Sequence, residues 1–199
     1  MNQQEAIADL VSKHPWPETK PDLPFNSSGW FPDCNQRVLA QHLSEKTKLV
    51  IELGSWVGLS TRWILDRAPN ATVMAIDHWQ GNPATAEQPL IPILYESFIS
   101  NCWVYKDRLI PIRATTIEGI RMAKVRGLVP DLVYIDAGHD YESVQTDIKE
   151  SISFGCHLVG DDFNPNAWPG VVRAVWEESN NFGRTLEVSG STWTIKERP

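Results

Sequence analysis

Five short apolar runs recur along the chain, and each has a polar residue at or near its end. The runs are KLVIELG, ATVMAID, RLIPIRA, PDLVYIDAG and CHLVGDD. Segments with helical periodicity separate them, and strands that alternate with helices and are apolar almost throughout are typical of a parallel sheet covered on both faces. The pattern predicts a doubly wound α/β fold. The last segments, RTLEVSG and STWTIKE, alternate in polarity and predict a C-terminal antiparallel hairpin.

The length of 199 residues suits one domain and is short for two. The residues before the first run are different in character, because a short amphipathic helix from Gln3 to Lys13 is followed by a proline-rich connection from Pro15 to Pro32. We therefore predict an N-terminal arm or lid at residues 1–32 and a single domain at residues 33–199. Within the arm, the segment NSSGWFPD carries two aromatic side chains that could close over a pocket.

Charge and composition limit the kinds of partner that this chain is expected to bind. The net charge is -7 and no run of Lys or Arg exceeds two residues, so the basic surface that binds phosphate backbones is missing and nucleic acid is not expected. The N-terminus lacks the pattern of a signal peptide and no apolar stretch approaches the ~20 residues of a membrane span, so we expect a cytoplasmic protein without a membrane partner. The expected partner is a small molecule. The sequence leaves open whether the chain forms a homo-oligomer.

The first run leads into VIELGSWVGLSTRWIL, a strand, a glycine-containing turn and a helix. Gly54 and Gly58 would let a ligand approach the backbone closely, and the helix would direct its first amides at an anion. A tight turn without a ligand explains the same two glycines. Trp56 stands where a dinucleotide-binding GxGxxG motif has its middle glycine, which argues against a nicotinamide cofactor. Asp77, at the end of the next run, is placed to accept hydrogen bonds from ribose hydroxyls.

Acidic residues cluster at the ends of the fourth and fifth runs. Asp136, Asp161 and Asp162 should meet at one edge of the sheet, since ligand sites in such folds lie outside the carboxyl ends of the strands. Capping of the next helix by Asp140 and a turn at Asp162 are structural alternatives. Like charges gathered in a cleft repel unless a cation lies between them. The three aspartates therefore predict a Mg²⁺ site.

His139 is the predicted general base. An imidazole ordinarily titrates near neutrality, and His139 follows the predicted ligand Asp136 by three residues. We predict His139 and Asp136 as the catalytic residues. A histidine in a loop that only forms a hydrogen bond is the structural alternative.

In these motifs the chain resembles the class I S-adenosylmethionine-dependent methyltransferases, from about Lys48 to the C-terminus. ELGSWVGLS is similar to the first motif of the catechol O-methyltransferase type. The resemblance implies a Rossmann-like sheet and S-adenosylmethionine as cofactor. By it, Ser60 and the amides near Ser55 and Trp56 would hold the methionine carboxylate, Gly54 would lie under the sulfonium, and Asp77 would bind the ribose.

The same resemblance places the adenine beside Ala114, Thr115 and Thr116, with His78 or Trp79 covering its face. A core position for Trp79 is the alternative. The full set of predicted cofactor-binding residues is Glu52, Gly54, Ser55, Trp56, Gly58, Ser60, Asp77, His78, Trp79, Ala114, Thr115 and Asp136.

IDAGHDYESV and GDDF also resemble the macrocin and mycinamicin sugar O-methyltransferases, a metal-dependent branch. In that branch and in the catechol type, acids at these strand ends hold magnesium. The catechol type has an asparagine where this chain has Asp162 and a catalytic lysine where it has His139. The chain also has little sequence from which to build a macrolide-sized pocket, so the acceptor does not carry over.

Together these features predict a Mg²⁺-dependent O-methyltransferase acting on a small hydroxylated acceptor such as a sugar, a polyol or a catechol-like diol. One alternative is a non-catalytic nucleoside-binding module, against which the intact acids and His139 argue. The other is a different reaction class on the same scaffold. Trp56 argues against a nicotinamide-dependent oxidoreductase, and one imidazole among carboxylates supports a metal-dependent hydroxylase only poorly.

Overall fold

The fold is known from a computed structural model that describes residues 2–81 and 89–196. Each of the apolar runs contains a strand. The strands are β1 Leu49–Leu53, β2 Thr72–Asp77, β3 Leu109–Arg113, β4 Leu132–Ile135, β5 His157–Gly160, β6 Thr185–Ser189 and β7 Thr192–Lys196. They form one seven-stranded sheet in the order β3-β2-β1-β4-β5-β7-β6.

The strand directions confirm the predicted architecture. Strands β1 to β5 pair in parallel, and β7 pairs antiparallel with both β5 and β6. The crossover from β3 to β4 reverses the strand order at β1, so the carboxyl ends of β1 and β4 flank the point where ligands bind in such sheets. This is the Rossmann-like sheet with a C-terminal hairpin that the sequence predicts.

Seven α-helices connect and cover the strands in the described part of the chain. They are α1 Gln3–Lys13, α2 Asp33–Leu39, α3 Leu59–Arg67, α4 Leu94–Cys102, α5 Thr116–Val125, α6 Tyr141–Ile152 and α7 Pro169–Asn181. Short 3-10 turns at Ile91–Ile93 and Trp103–Arg108 flank α4. None of the helices in residues 2–81 and 89–196 is long and apolar enough to span a bilayer.

The two faces of the sheet carry two separate cores. On β1, Leu49, Ile51 and Leu53 pack with α1, α5, α6 and α7, whereas Val50 faces the core formed with α2, α3 and α4. Successive side chains of a strand point to opposite faces, so a run of apolar residues is required when both faces are covered. This explains why the strand segments read as continuous apolar runs.

Helix α1 is part of this core, which corrects the prediction that residues 1–32 form an arm separate from the domain. Ala6 and Leu10 are fully buried in the core that contains α5 and α6. The guanidinium of Arg126 lies 2.8 Å from the carboxylate of Asp9. This ion pair also holds α1 to the domain. The amphipathic pattern of α1 thus buries its apolar face in the domain itself.

The rest of the N-terminal segment crosses α4. The hydroxyl of Ser100 donates to the carbonyl of Leu23 at 2.9 Å, and the amide of Asn101 donates to the carbonyl of Asn26 at 2.7 Å. A Cβ added at Gly29 would lie 3.2 Å from Cδ1 of Trp56, so the chain passes directly over the turn that follows β1. This position suits the predicted lid, which stays a prediction.

Candidate functional site

The buried carboxylate of Glu52 fixes the shape of the turn after β1 through hydrogen bonds. The hydroxyls of Ser55 and Ser60 donate to Glu52 at 2.7 and 2.6 Å, and the hydroxyl of Thr61 donates to it as well. Glu52 is fully buried, and burial raises the pKa of its carboxyl while the three hydroxyls lower it. The structure therefore places Glu52 behind the turn, where it fixes the shape of the loop, rather than at the surface of the cleft.

The two glycines of the turn are required by the fold. Gly54 and Gly58 have φ values of +82° and +87°, which L side chains rarely adopt. A Cβ at Gly54 would lie 2.0 Å from the carbonyl oxygen of Asp136, and one at Gly58 would lie 2.4 Å from the sulfur of Cys102. The close approach at Gly54 joins the turn after β1 to the turn after β4. It brings the predicted cofactor and metal residues side by side.

Asp77, at the end of β2, holds the outer side of the same turn. Its Oδ2 accepts hydrogen bonds from the amides of Ser55 at 3.0 Å and Trp56 at 2.9 Å. Its Oδ1 accepts a hydrogen bond from the amide of Trp79 at 2.6 Å. The predicted ribose ligand and the amides predicted to hold the methionine carboxylate are therefore in direct contact.

The residues predicted to lie at the adenine differ in how far they are buried. Trp79 is buried, packs 4.9 Å from the ring of Tyr95 and donates through Nε1 to the carbonyl of Trp56, so it occupies the core position named as the alternative. His78 is half-exposed. The hydroxyl of Thr115 caps α5, and Ala114 precedes it at the end of β3.

Asp136, His139 and Asp162 converge beyond the ends of β4 and β5. One potential ligand atom from each lies within 4.8 Å of the other two. Nε2 of His139 lies 2.7 Å from Oδ2 of Asp162. Asp162 has a φ of +66°, which is uncommon for a residue with a side chain and marks local strain at this point of the backbone.

Asp161, the third predicted metal ligand, lies outside that group of three. Its Oδ2 accepts a hydrogen bond from the amide of Asn35 at 2.6 Å, and its Oδ1 accepts one from the hydroxyl of Ser191 at 2.6 Å. Its carbonyl oxygen accepts a hydrogen bond from the indole of Trp193 at 2.9 Å. Each carboxylate oxygen has two lone pairs, so these bonds orient Asp161 without removing its capacity to bind a cation.

The acids raise one another's proton affinity. Burial raises the pKa of Asp136 well above its usual range, and the negative charges of Asp161 and Asp162 raise it further. Burial also raises the pKa of Asp161. Across residues 2–81 and 89–196, the only basic side chain within ion-pair distance of these three carboxylates is His139. A crowded set of oxygen donors that lacks a Lys or Arg partner fits a hard divalent cation.

Two aromatic residues complete the site. The hydroxyl of Tyr134, a residue of β4, donates to Oδ2 of Asp136 at 3.1 Å. The indole of Trp168, immediately before α7, stacks on the imidazole of His139 with ring centroids 4.2 Å apart and an interplanar angle of 20°. The site thus contains an imidazole held between a carboxylate and an indole face.

The family of the chain follows from its match to known proteins. Residues 51–163, more than half of the chain, match the model of a family described as a methyltransferase domain. The chain belongs to this methyltransferase family. The predicted class, an S-adenosylmethionine-dependent methyltransferase, is confirmed. The oxidoreductase and the hydroxylase considered as alternatives are not supported.

Solved structures of methyltransferases share the fold. CalS11, a calicheamicin methyltransferase, is 14% identical, with 80% of this chain and 76% of that chain covered and a TM-score of 0.58. The S-adenosylmethionine-dependent O-methyltransferase TM0748 from Thermotoga maritima is 10% identical, with 87% and 68% covered and a TM-score of 0.55. No curated protein matches this methyltransferase significantly in sequence.

A third similar structure contains a metal. MycE, a methyltransferase from the mycinamycin biosynthetic pathway in complex with Mg and SAH, is 15% identical, with a TM-score of 0.57. The comparison covers 96% of this chain and 54% of MycE, so this methyltransferase spans about half the length of that protein. At these identities the likeness establishes the fold.

Several residues of this methyltransferase site carry no clear signal in the sequence. Asn35 and Ser191 are polar residues without a motif, and Tyr134 lies in an apolar strand where an aromatic side chain suggests packing. Trp168 gave one usable signal, since it ends the segment DDFNPNAW, a loop rich in Asn and Pro next to two predicted ligands.

Proposed function

We propose that this protein transfers the methyl group of S-adenosylmethionine to a hydroxyl oxygen of a small acceptor, with a divalent cation, Mg²⁺ foremost, as a required partner. The observation that carries the proposal is the convergence of Asp136, His139 and Asp162 beside the turn at Gly54. A base and a set of oxygen ligands next to a methyl-donor site are what activation of a hydroxyl requires.

The cofactor would lie along the turn from Gly54 to Ser60. The carboxylate of Asp77 accepts from the amides of Ser55 and Trp56 and fixes one side of that turn, and its remaining lone pairs would accept from the ribose hydroxyls. Helix α3 begins at Leu59, within that stretch, and its first amides would favour the methionine carboxylate. Because this turn packs against the backbone of Asp136, the acceptor would lie on that side of the cofactor, next to the acids.

The cation would be held by Asp136 and Asp162, with Asp161 as the third acid. The acids supply carboxylate oxygens, which suit both Mg²⁺ and Mn²⁺. Bound there, the ion would act as a Lewis acid that lowers the pKa of the acceptor hydroxyl.

His139 would take the proton of that hydroxyl. S-adenosylmethionine would supply the methyl group: as the acceptor oxygen bonds to the methyl carbon, the carbon–sulfur bond would break with its electron pair staying on sulfur, giving S-adenosylhomocysteine. The imidazolium that forms would be stabilised by the carboxylate of Asp162 at 2.7 Å and by the indole face of Trp168 stacked at 4.2 Å.

The acceptor class is a small hydroxylated molecule, such as a sugar, a polyol or a catechol-like diol. The indole of Trp168 is partly exposed next to the proposed base, and an aromatic face of this kind suits the apolar face of a sugar ring or of an arene. No nucleic-acid or membrane partner is proposed.

The test is methyl transfer from S-adenosylmethionine labelled in the methyl group to sugars, nucleotide sugars, polyols and catechols, with Mg²⁺ or with a chelator. We expect label in an ether linkage that is lost with the chelator and restored by added Mg²⁺. Label on a nitrogen, or turnover that the chelator leaves unchanged, would contradict the proposed oxygen transfer or the proposed metal, respectively.

A further inference from the structure

Asn35 lies at the centre of a buried hydrogen-bond network behind the acids. It belongs to α2 and is fully buried. Its Nδ2 donates to the hydroxyl of Tyr134 at 2.9 Å and to Oδ2 of Asp161 at 2.6 Å. Both N–H hydrogens of the Asn35 side chain therefore form hydrogen bonds to residues of the site.

The network reaches a second acid through Tyr134. The Tyr134 hydroxyl accepts from Asn35 and donates to Oδ2 of Asp136 at 3.1 Å. Asn35 is thereby linked to two of the proposed ligands, one directly and one through a single hydroxyl. Because Tyr134 is buried, its hydroxyl has little freedom to take another partner.

The orientation of the amide is itself fixed. The buried hydroxyl of Thr192, the first residue of β7, donates to Oδ1 of Asn35. An amide whose oxygen already accepts that bond presents its NH₂ group to Tyr134 and Asp161. The C-terminal hairpin and α2 thus act together, since Ser191 of the same hairpin donates to the other oxygen of Asp161.

We propose that Asn35 is a positioning residue for the cation site, and this inference rests on the proposed metal-dependent function. One of its N–H groups orients Asp161 directly and the other orients Asp136 through the hydroxyl of Tyr134, and these bonds offset part of the repulsion between the two acids. They do so without a positive charge. A Lys or Arg in that place would neutralise the acids and compete with the cation, whereas a neutral amide leaves their full charge available to it.

If the side chain of Asn35 only filled space, it would not need these hydrogen bonds. An apolar side chain of similar volume could occupy the same buried position, and burying an amide is unfavourable unless its hydrogen bonds are all made. Partners that orient metal ligands typically change metal affinity by about 10- to 100-fold when they are replaced. The inference therefore predicts an effect on metal affinity that a loss of packing would not produce.

The experiment measures Mn²⁺ affinity by electron paramagnetic resonance and S-adenosylmethionine affinity by calorimetry on the full chain. Asn35→Leu removes both donors and keeps the branching and the number of heavy atoms of the side chain. We expect its Mn²⁺ dissociation constant to rise about 10- to 100-fold while the affinity for S-adenosylmethionine changes less than about 3-fold. Asn101→Leu is the matched control, because Asn101 is also buried and donates two hydrogen bonds, to the carbonyls of Asn26 and Val57.

Tyr134→Phe keeps the inference testable if Asn35→Leu fails to fold. It removes only the hydroxyl between Asn35 and Asp136 and should weaken Mn²⁺ binding about 3- to 10-fold, since a typical hydrogen bond contributes about 1 kcal/mol. Mn²⁺ binding by the folded variants that equals the wild type, or that falls equally in Asn101→Leu, would overturn the role of Asn35. A wild type that binds no Mn²⁺ would overturn the proposed metal and this inference with it.

Discussion

Nε2 of His139 lies 2.7 Å from Oδ2 of Asp162. The pair joins the turn after β4 to the turn after β5, two points of the chain that the sheet brings together. A carboxylate in contact with a ring nitrogen restricts the orientation of the imidazole. The pair thus combines a predicted base and a predicted metal ligand in one contact, and several consequences can be measured.

Replacing His139 by Ala should lower the methyl-transfer rate by about 10²- to 10⁴-fold at neutral pH, because a positioned base contributes that much. His157→Ala is the matched control. That imidazole lies at the start of β5, at the opposite end of the strand from Asp161, and its loss should leave the rate unchanged. A His139→Ala enzyme that keeps most of its rate would remove the base assignment.

Trp168 should affect the rate through His139. Trp168→Ala removes the stacked indole, and since aromatic pairs contribute about 0.5–1.5 kcal/mol, we expect a loss of up to about 10-fold in kcat. Trp168→Phe retains an aromatic face and should recover part of that loss. A Trp168→Ala enzyme with the kcat of the wild type would show that the stacking has no part in catalysis.

Asp77 should control cofactor affinity. Its carboxylate accepts three backbone N–H bonds at the turn, from Ser55, Trp56 and Trp79, and hydrogen bonds to a charged group contribute about 1.5–3 kcal/mol. Asp77→Asn should therefore weaken S-adenosylmethionine binding about 10-fold or more in calorimetry. Asp66→Asn, on α3, alters a carboxylate that accepts only from Tyr105 among the described residues and serves as the control. Comparable losses in both variants would count against a specific role for Asp77.

Because the carboxyl of Asp147 is buried, we expect the free energy of unfolding to depend on pH, independently of catalysis. Burial between α5 and α6 raises the pKa of its carboxyl to about 7, and the hydrogen bond from Thr116 lowers it only in part. The unfolded chain releases this proton near pH 4, so the native state binds more protons between about pH 4 and 7, and its stability falls as the pH rises through that window.

Asp147→Asn removes that titration. We expect the slope of stability against pH between about pH 5 and 7 to become less negative in the variant, measured from urea midpoints. Glu142→Gln, at an exposed position of α6, should keep the slope of the wild type. An unchanged slope in Asp147→Asn would show that this carboxyl ionises in the native state as it does in the unfolded chain.

The strands and the acids at their ends could be predicted because they are local features. An apolar run that stops at a polar residue marks the end of a buried strand, and parallel strands bring those ends together. Asp136, His139 and Asp162 were identified in this way. The position of α1 was not, because its proline-rich connection reads as a boundary although Ala6 and Leu10 are core residues.

The hydrogen bonds that orient the acids could not be predicted, because they join residues that are far apart in the sequence. Asn35 and Asp161 are 126 residues apart, and Asn35 and Thr192 are 157 apart. No local period or spacing encodes such pairs. The glycines were also ambiguous, since the carbonyl of Asp136 against Gly54 requires a glycine there whether or not a ligand binds.

The most direct test of the methyl-donor site is a calorimetric titration of S-adenosylmethionine into the purified, metal-stripped protein, repeated with Mg²⁺ present. We expect binding with a micromolar dissociation constant, about -8 kcal/mol, at the turn that contains Gly54 and is held by Asp77. The absence of binding under both conditions would contradict a methyl-donor site in this chain.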